Sequence, residues 1–187
     1  MKNQIVKRFP IEEDLVVFRY PCFSDWAGIM KKTNSLTMEK SFGSPQYRQT
    51  PKQYRKSMRE RLTAIKNKRA VYLVATINEV IIGTASIWII PGEPKRGSLE
   101  ISIRNTLPRS CRSLWGKGIG KKLMYAIMHE AKTKLGIKTV KLGVYVANHR
   151  AVKLYKRCGF KEMYRVRKEK YHFGVMRDRV YMQKHLH

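Results

Sequence analysis

Hydrophobic and polar positions alternate along this chain with two different periods, and the places where the period changes divide it into elements. The stretch DLVVFRY, residues 14–20, is rich in β-branched and aromatic side chains and predicts a first strand. Ser24 then caps a helix running to about Ser35, with Trp26, Ile29 and Met30 on its inward face. The polar stretch SFGSPQYRQ reads as a loop, and Thr50-Pro51 supplies the N-cap and first-turn residue of a second helix. There Tyr54, Met58, Leu62 and Ile65 recur at intervals of four, four and three, which makes one apolar face and leaves the many Arg and Lys residues outside.

Strand-like runs return in AVYLVATI and VIIGTASIWII, separated only by Asn78-Glu79, which predicts a tight hairpin closed by Pro91, Gly92 and Pro94. In SLEISIRN, residues 98–105, Leu99, Ile101 and Ile103 alternate with Glu100, Ser102 and Arg104, a further strand. A polar connection, TLPRSCRS, and three glycines follow. Then Ile119, Leu123, Ile127, Ala131 and Leu135 form an i+4 ladder, widened by Met124 and Met128 and stopped by Gly136. The strand TVKLGVYV leads to a short helix marked by Ala151, Leu154, Tyr155 and Cys158 and ended by Gly159. Two strands, around Phe160–Tyr171 and Arg179–Lys184, complete a mixed α/β order. With no internal repeat or linker, residues 1–187 read as one domain.

Composition changes this picture in one respect. At 43% hydrophobic and 28% charged, the chain has the balance of a folded domain and not of a disordered one. No apolar run approaches the roughly 18 residues of a membrane span, and MKNQIVKRFPIEED lacks the apolar stretch of a signal peptide, so the expected location is cytoplasmic. Cys22, Cys111 and Cys158 show no zinc-ligand spacing, and neither a disulfide framework nor a metal site is expected. Cys158 ends an apolar stripe and reads as core. Cys111, among polar residues, is open to a nucleophilic role but has no evident base. The abnormal quantity is the charge: 40 Lys and Arg against 13 Asp and Glu give +27, a field that attracts polyanions such as the ribosome, nucleic acids and phosphorylated cofactors. The basic residues are scattered and not gathered in one tail, which weighs against a dedicated nucleic-acid arm.

Chemistry concentrates in LWGKGIGKKLM, residues 114–124. Gly116, Gly118 and Gly120 stand at alternate positions directly before the long helix, where glycine is costly unless the backbone must stay bare. The unpaired N–H groups of a helix start favour an anion, and Lys117, Lys121 and Lys122 add charge around them. A diphosphate-bearing ligand fits. The spacing is one residue short of a P-loop and places Lys122 where the metal-binding hydroxyl belongs; the third glycine comes one position early for a dinucleotide fingerprint, and the next strand carries no acid.

Together with NHRAVKLYKRCGF, residues 148–160, this segment resembles the GCN5-related N-acetyltransferase (GNAT) superfamily. Its signature pairs a [QR]-x-x-G-x-[GA] loop with a later N-x-x-A-x-x-L-Y-x-x-x-G-F helix, matched here at Asn148, Ala151, Leu154, Tyr155, Gly159 and Phe160; Trp115 stands at the Gln/Arg position. The resemblance spans most of the chain. It implies an α/β fold with a mixed, mostly antiparallel sheet of about seven strands flanked by about four helices, and acetyl-CoA as co-substrate without a metal. The cofactor's pyrophosphate would rest on backbone N–H groups from Trp115 through Gly116, Lys117, Gly118, Ile119, Gly120 and Lys121. Its pantetheine arm would lie between splayed strands ending at Ile103, Arg104 and Asn105 and at Tyr145–Ala147, with Asn148 helping to hold it. Tyr155 would protonate the leaving thiolate. Glu100, a carboxylate in an otherwise apolar strand, is the candidate base that a primary amine needs before it attacks a thioester.

The function so implied is N-acetyl transfer to a primary amine by direct attack in a ternary complex. The expected acceptor is a protein α-amino group or lysine, ahead of an amino-sugar or of a polyamine, which the positive field would repel at long range unless Glu39, Glu60 and other acids gather locally. Two other readings stay open on the same fold: a basic module that binds nucleic acid or the ribosome, and an acyl-CoA sensor without turnover.

Overall fold

A strand that the hydrophobic pattern does not predict opens the fold. The computed structural model describes residues 4–33, 50–107, 113–170 and 176–186, and in it β1 (Ile5–Ile11) pairs antiparallel with β2 (Asp14–Arg19) around a turn holding Glu12 at φ 53°. Pro10 and the charged residues of β1 interrupt its alternation. They are tolerated because β1 lies at the sheet edge and bonds only to β2. Phe9 nevertheless reaches the core, edge-on to Phe18 at 5.0 Å.

There follow α1 (Asp25–Thr33), α2 (Pro51–Lys66), β3 (Ala70–Ile77), β4 (Val80–Ile90), β5 (Glu93–Ile103), α3 (Ile119–Leu135), β6 (Thr139–Tyr145), α4 (His149–Arg157), β7 (Lys161–Lys170) and β8 (Met176–His185). The described residues thus hold eight strands, one more than expected, and four helices. The loop SFGSPQYRQ, the expected helix end at Ser35, Glu39 and Cys111 lie outside the described residues. Thr50 forms a full capping box with Gln53 at the start of α2. Asn78 and Glu79 both adopt positive φ, as a two-residue turn of this hand requires. β5 begins earlier than its alternation suggested: Pro91 and Gly92 turn the chain straight back, and Pro94 is accommodated where the β4–β5 register shifts.

The sheet runs β1-β2-β3-β4-β5-β6-β8-β7 and is antiparallel throughout except between β5 and β6. Helices cover both faces, so all eight residues of β3 are buried. Val71, Leu73 and Ala75 pack in the large core with Leu123, Met124 and Ile127 of α3. Tyr72 and Val74 meet Ile29, Tyr54 and Met58 of α1 and α2 on the other side. The one parallel pair is short. It couples Arg96, Gly97 and Ser98 to Thr139, Val140 and Lys141, after which β5 continues to Ile103 and β6 to Tyr145 with no ladder between them. Each stays bonded on its outer side, β5 to β4 and β6 to β8. The centre of the sheet therefore opens into a V, along which β5 and β6 make no ladder with one another.

Candidate active site

The mouth of α3 lies where the long ladder begins. Its N-cap, Gly118, is left-handed at φ 78° with no side-chain cap, and the first bond of the helix runs from Lys122 N–H to the Gly118 carbonyl. The N–H groups of Ile119, Gly120 and Lys121 consequently have no partner within the helix. The three glycines divide between two tasks. Gly116 and Gly118 have φ of 84° and 78°, and a Cβ at either would meet no protein atom within 4 Å. Gly120 serves packing: a Cβ there would stand 3.1 Å from Leu154 of α4 and 3.4 Å from Ile103 of β5. Its bareness lets α4 and β5 converge on the first turn of α3, which docks the Tyr155 helix against the mouth and the open end of the V. Of the lysines, Lys117 is paired with Glu12 on the β1–β2 turn, Lys122 lies 3.9 Å from the Phe9 ring, and Lys121 is exposed.

Trp115 explains its own departure from the signature. Its indole Nε1–H donates to the Ile103 carbonyl at 3.3 Å, its backbone N–H donates to Ser113 Oγ at 3.1 Å, and the Arg150 guanidinium stacks 3.9 Å over its ring. Two polar groups that the resemblance assigned to cofactor, the Ile103 carbonyl and the Trp115 N–H, are therefore engaged within the protein. Asn105 braces the base of the same loop, accepting from Leu114 N–H at its carbonyl and from Ser113 Oγ at its side chain. Arg104 N–H continues the sheet by donating to the Ile82 carbonyl. Asn148 caps α4, its Oδ1 accepting from Ala151 N–H at 3.2 Å, and its own N–H turns the chain by bonding the Tyr145 carbonyl.

Tyr155 is buried on the α3 side with Cys158 and Phe160, and its hydroxyl donates to none of the described residues. Burial, reinforced by Cys158, pushes the phenol up to about 12. Glu100 is exposed. It follows core-facing Leu99 and so points to the opposite, α1–α2 side, where its charge reaches Tyr72. The two candidate catalytic groups thus occupy opposite faces of the sheet, with the V in the central sheet between them. Among the described residues no group of His, Cys, Asp and Glu could hold a metal ion, and no helix is long and apolar enough to cross a membrane.

One ionisable group at this site has no role in the sequence pattern. Lys32, at i+3 from Ile29 on the buried side of α1, is 1% exposed and donates to Thr84 Oγ1 on β4 and Ser102 Oγ on β5. Its place on the stripe of an inward apolar residue was the available signal. Burial, with repulsion from Arg104 and Arg61, pushes the ammonium down to about 7. An unfolded chain keeps the ordinary lysine value near 10.4, so between about pH 7 and pH 10 the unfolded state binds more protons. The cost of burying the ammonium is full below pH 7 and fades as pH rises through this window. Denaturant titrations are accordingly expected to show wild-type stability increasing from about pH 7 to pH 9.5, and the increase to disappear in Lys32→Met.

The family model described as "Acetyltransferase (GNAT) family" matches residues 37–160. By sequence, no curated protein matches the chain. Solved structures similar in fold include a ribosomal-protein-S5-alanine acetyltransferase from Vibrio fischeri, with TM-score 0.77, 20% identity and 96% of each chain covered. A ribosomal L7/L12 α-N-protein acetyltransferase in complex with coenzyme A superposes with TM-score 0.77 at 16% identity, covering 96% of this chain and 98% of that one. A spermidine N-acetyltransferase from Vibrio cholerae, in complex with CoA and spermine, gives TM-score 0.71 at 20% identity over 91% and 95%.

Proposed function

Because the chain belongs to the GNAT acetyltransferase family, we propose that it transfers the acetyl group of acetyl-CoA to a primary amine of a protein, an N-terminal α-amino group or a lysine, by direct attack in a ternary complex. The observation that carries this reading is the convergence of an uncapped α3 N-terminus, the V between β5 and β6, and a buried phenol on α4. In this reading the pyrophosphate lies on the N–H groups from Gly116 through Lys121, with Trp115 and Asn148 framing it. The pantetheine amides add to the free edges of the V as a strand would.

The division of the sheet into two faces supports the following order of steps. An amine arriving from the α1–α2 side gives up its proton towards Glu100, directly or through water, and attacks the thioester carbon. The C–N bond forms, and unpaired N–H groups of β5 stabilise the oxyanion. The C–S bond then breaks towards the α3 side, where Tyr155 O–H donates to the departing sulfur. A phenol held near 12 remains protonated at neutral pH. It passes its proton to the thiolate while the nitrogen gives up its second proton to solvent, from which the tyrosinate is reprotonated, so the products are the amide, the free thiol of CoA and one proton released overall. The +27 charge favours acceptors on anionic assemblies, the ribosome among them. Thiol release from acetyl-CoA across a panel of peptides, polyamines and aminoglycosides tests the proposal. Turnover is expected with peptides; thiol release with none of the amines defeats it.

A further inference from the structure

On the α1–α2 side of β5 the described residues gather three cations, Lys32, Arg104 and Arg61, with the Glu100 carboxylate of the same strand sharing the face. Lys32 Nζ is held by two neutral hydroxyls, Thr84 Oγ1 at 3.1 Å and Ser102 Oγ. Arg104, two positions beyond Ser102 and half-buried, has an Nε that is sealed from solvent with no hydrogen-bond partner. Arg61 of α2 donates to Ser57 Oγ at 2.6 Å and lies 5.4 Å from the centre of the Tyr72 ring. None of the three is paired with a carboxylate among the described residues. Asp25 of α1 is already held by both nitrogens of Arg19, each at 2.8 Å. A buried cation with only neutral partners is costly, and a guanidinium Nε aimed at nothing adds an unmade charge-assisted bond. An anion arriving with a ligand at the Arg104 guanidinium would offset this excess of positive charge. Ser102 and Arg104 follow the point where β5 leaves β6, so the charge sits beside the opening through which the thioester would be reached.

We propose that this face of β5 is an acceptor subsite for a carboxylate, bound by Arg104 with Lys32 lying behind it, and that it selects peptides carrying an acidic side chain next to the reacting amine. The inference rests on the transferase reading for the word acceptor, and on the geometry for the site itself. Arg104 makes the contact. Lys32 is a positioning residue, sealed beneath it and tied to the same strand through Ser102.

The test compares two otherwise identical fluorescent peptides beginning Ala-Glu and Ala-Gln, bound in the presence of CoA at about 150 mM salt to screen the general field. Anisotropy is expected to show the Ala-Glu peptide binding at least about tenfold tighter, as a charge-assisted contact should. Arg104→Gln and Lys32→Met should each reduce that ratio to about two or less, and Arg104→Lys should restore part of it. Lys134→Gln, a remote exposed position, should leave it unchanged. Equal affinities in the wild type, a ratio surviving in Arg104→Gln, or an equal loss in Lys134→Gln overturns the subsite. Should Lys32→Met fail to fold, Arg104→Gln at its half-exposed position carries the test. Thiol release with the same peptides separates the two ideas. Discrimination in binding without release removes the transferase reading and leaves the subsite standing, whereas release without discrimination removes the subsite alone.

Discussion

Replacing Tyr155 with Phe is expected to lower kcat about 100-fold while the KM for acetyl-CoA stays within about twofold, the pattern of a group that acts only as the C–S bond breaks. The ring fills the same space in either residue, so the packing with Phe160 at 6.0 Å and with the rest of the α3 core is retained. Only the hydroxyl is lost. Since that hydroxyl donates to none of the described residues, its removal breaks no internal bond and should leave the melting temperature nearly unchanged. Stopped assays with a saturating peptide and varied acetyl-CoA measure both parameters. An unchanged kcat removes the proton-donor role, and a parallel collapse of stability reassigns the phenol to the core. The variant also isolates the phenol from Glu100, which lies across the sheet.

Gly118→Val is expected to weaken acetyl-CoA binding by more than about tenfold and to lower the melting temperature by the strain of about 1–3 kcal/mol that a β-branched residue carries at positive φ. A Cβ at this position would meet no protein atom within 4 Å, so no internal clash contributes. The added side chain instead stands in front of the N–H groups of Ile119, Gly120 and Lys121, which in the proposed mode receive the pyrophosphate. Gly92→Val supplies the control. Gly92 has the same φ of 78° and the same open surroundings at the β4–β5 turn, so its strain should match while cofactor affinity is unaffected. Isothermal titration with CoA reads the comparison. If both variants bind CoA as the wild type does, the mouth of α3 is not the diphosphate site.

How far the amino-acid sequence reached depends on the range of the interactions involved. The α3 ladder, its stop at Gly136, the Thr50 N-cap and the Asn78-Glu79 hairpin were legible because each is decided by residues within a turn or two of one another. The glycine loop and the N-x-x-A-x-x-L-Y helix were legible for the same reason, and they sufficed to point to the family. β1 escaped because an edge strand bonded on one side tolerates proline and charge, and these break the alternation that would have marked it.

Only the tertiary structure decided the features that make a site. The β5–β6 pairing stops after three residues because strands far apart in the chain diverge, not because either sequence changes character at that point. Gly120 proved to be bare for Leu154 and Ile103, and Trp115 to occupy the Ile103 carbonyl, contacts between segments that no period relates. Lys32 shows the limit most plainly. A lysine on a helix far along the chain from the strands it meets reads by default as a solvated charge, and this one is buried because α1 packs on β4, where Thr84 and Ser102 of the adjoining β5 hold its ammonium. Local periodicity fixes which face of an element turns inward; only packing against the rest of the chain fixes what that face will meet.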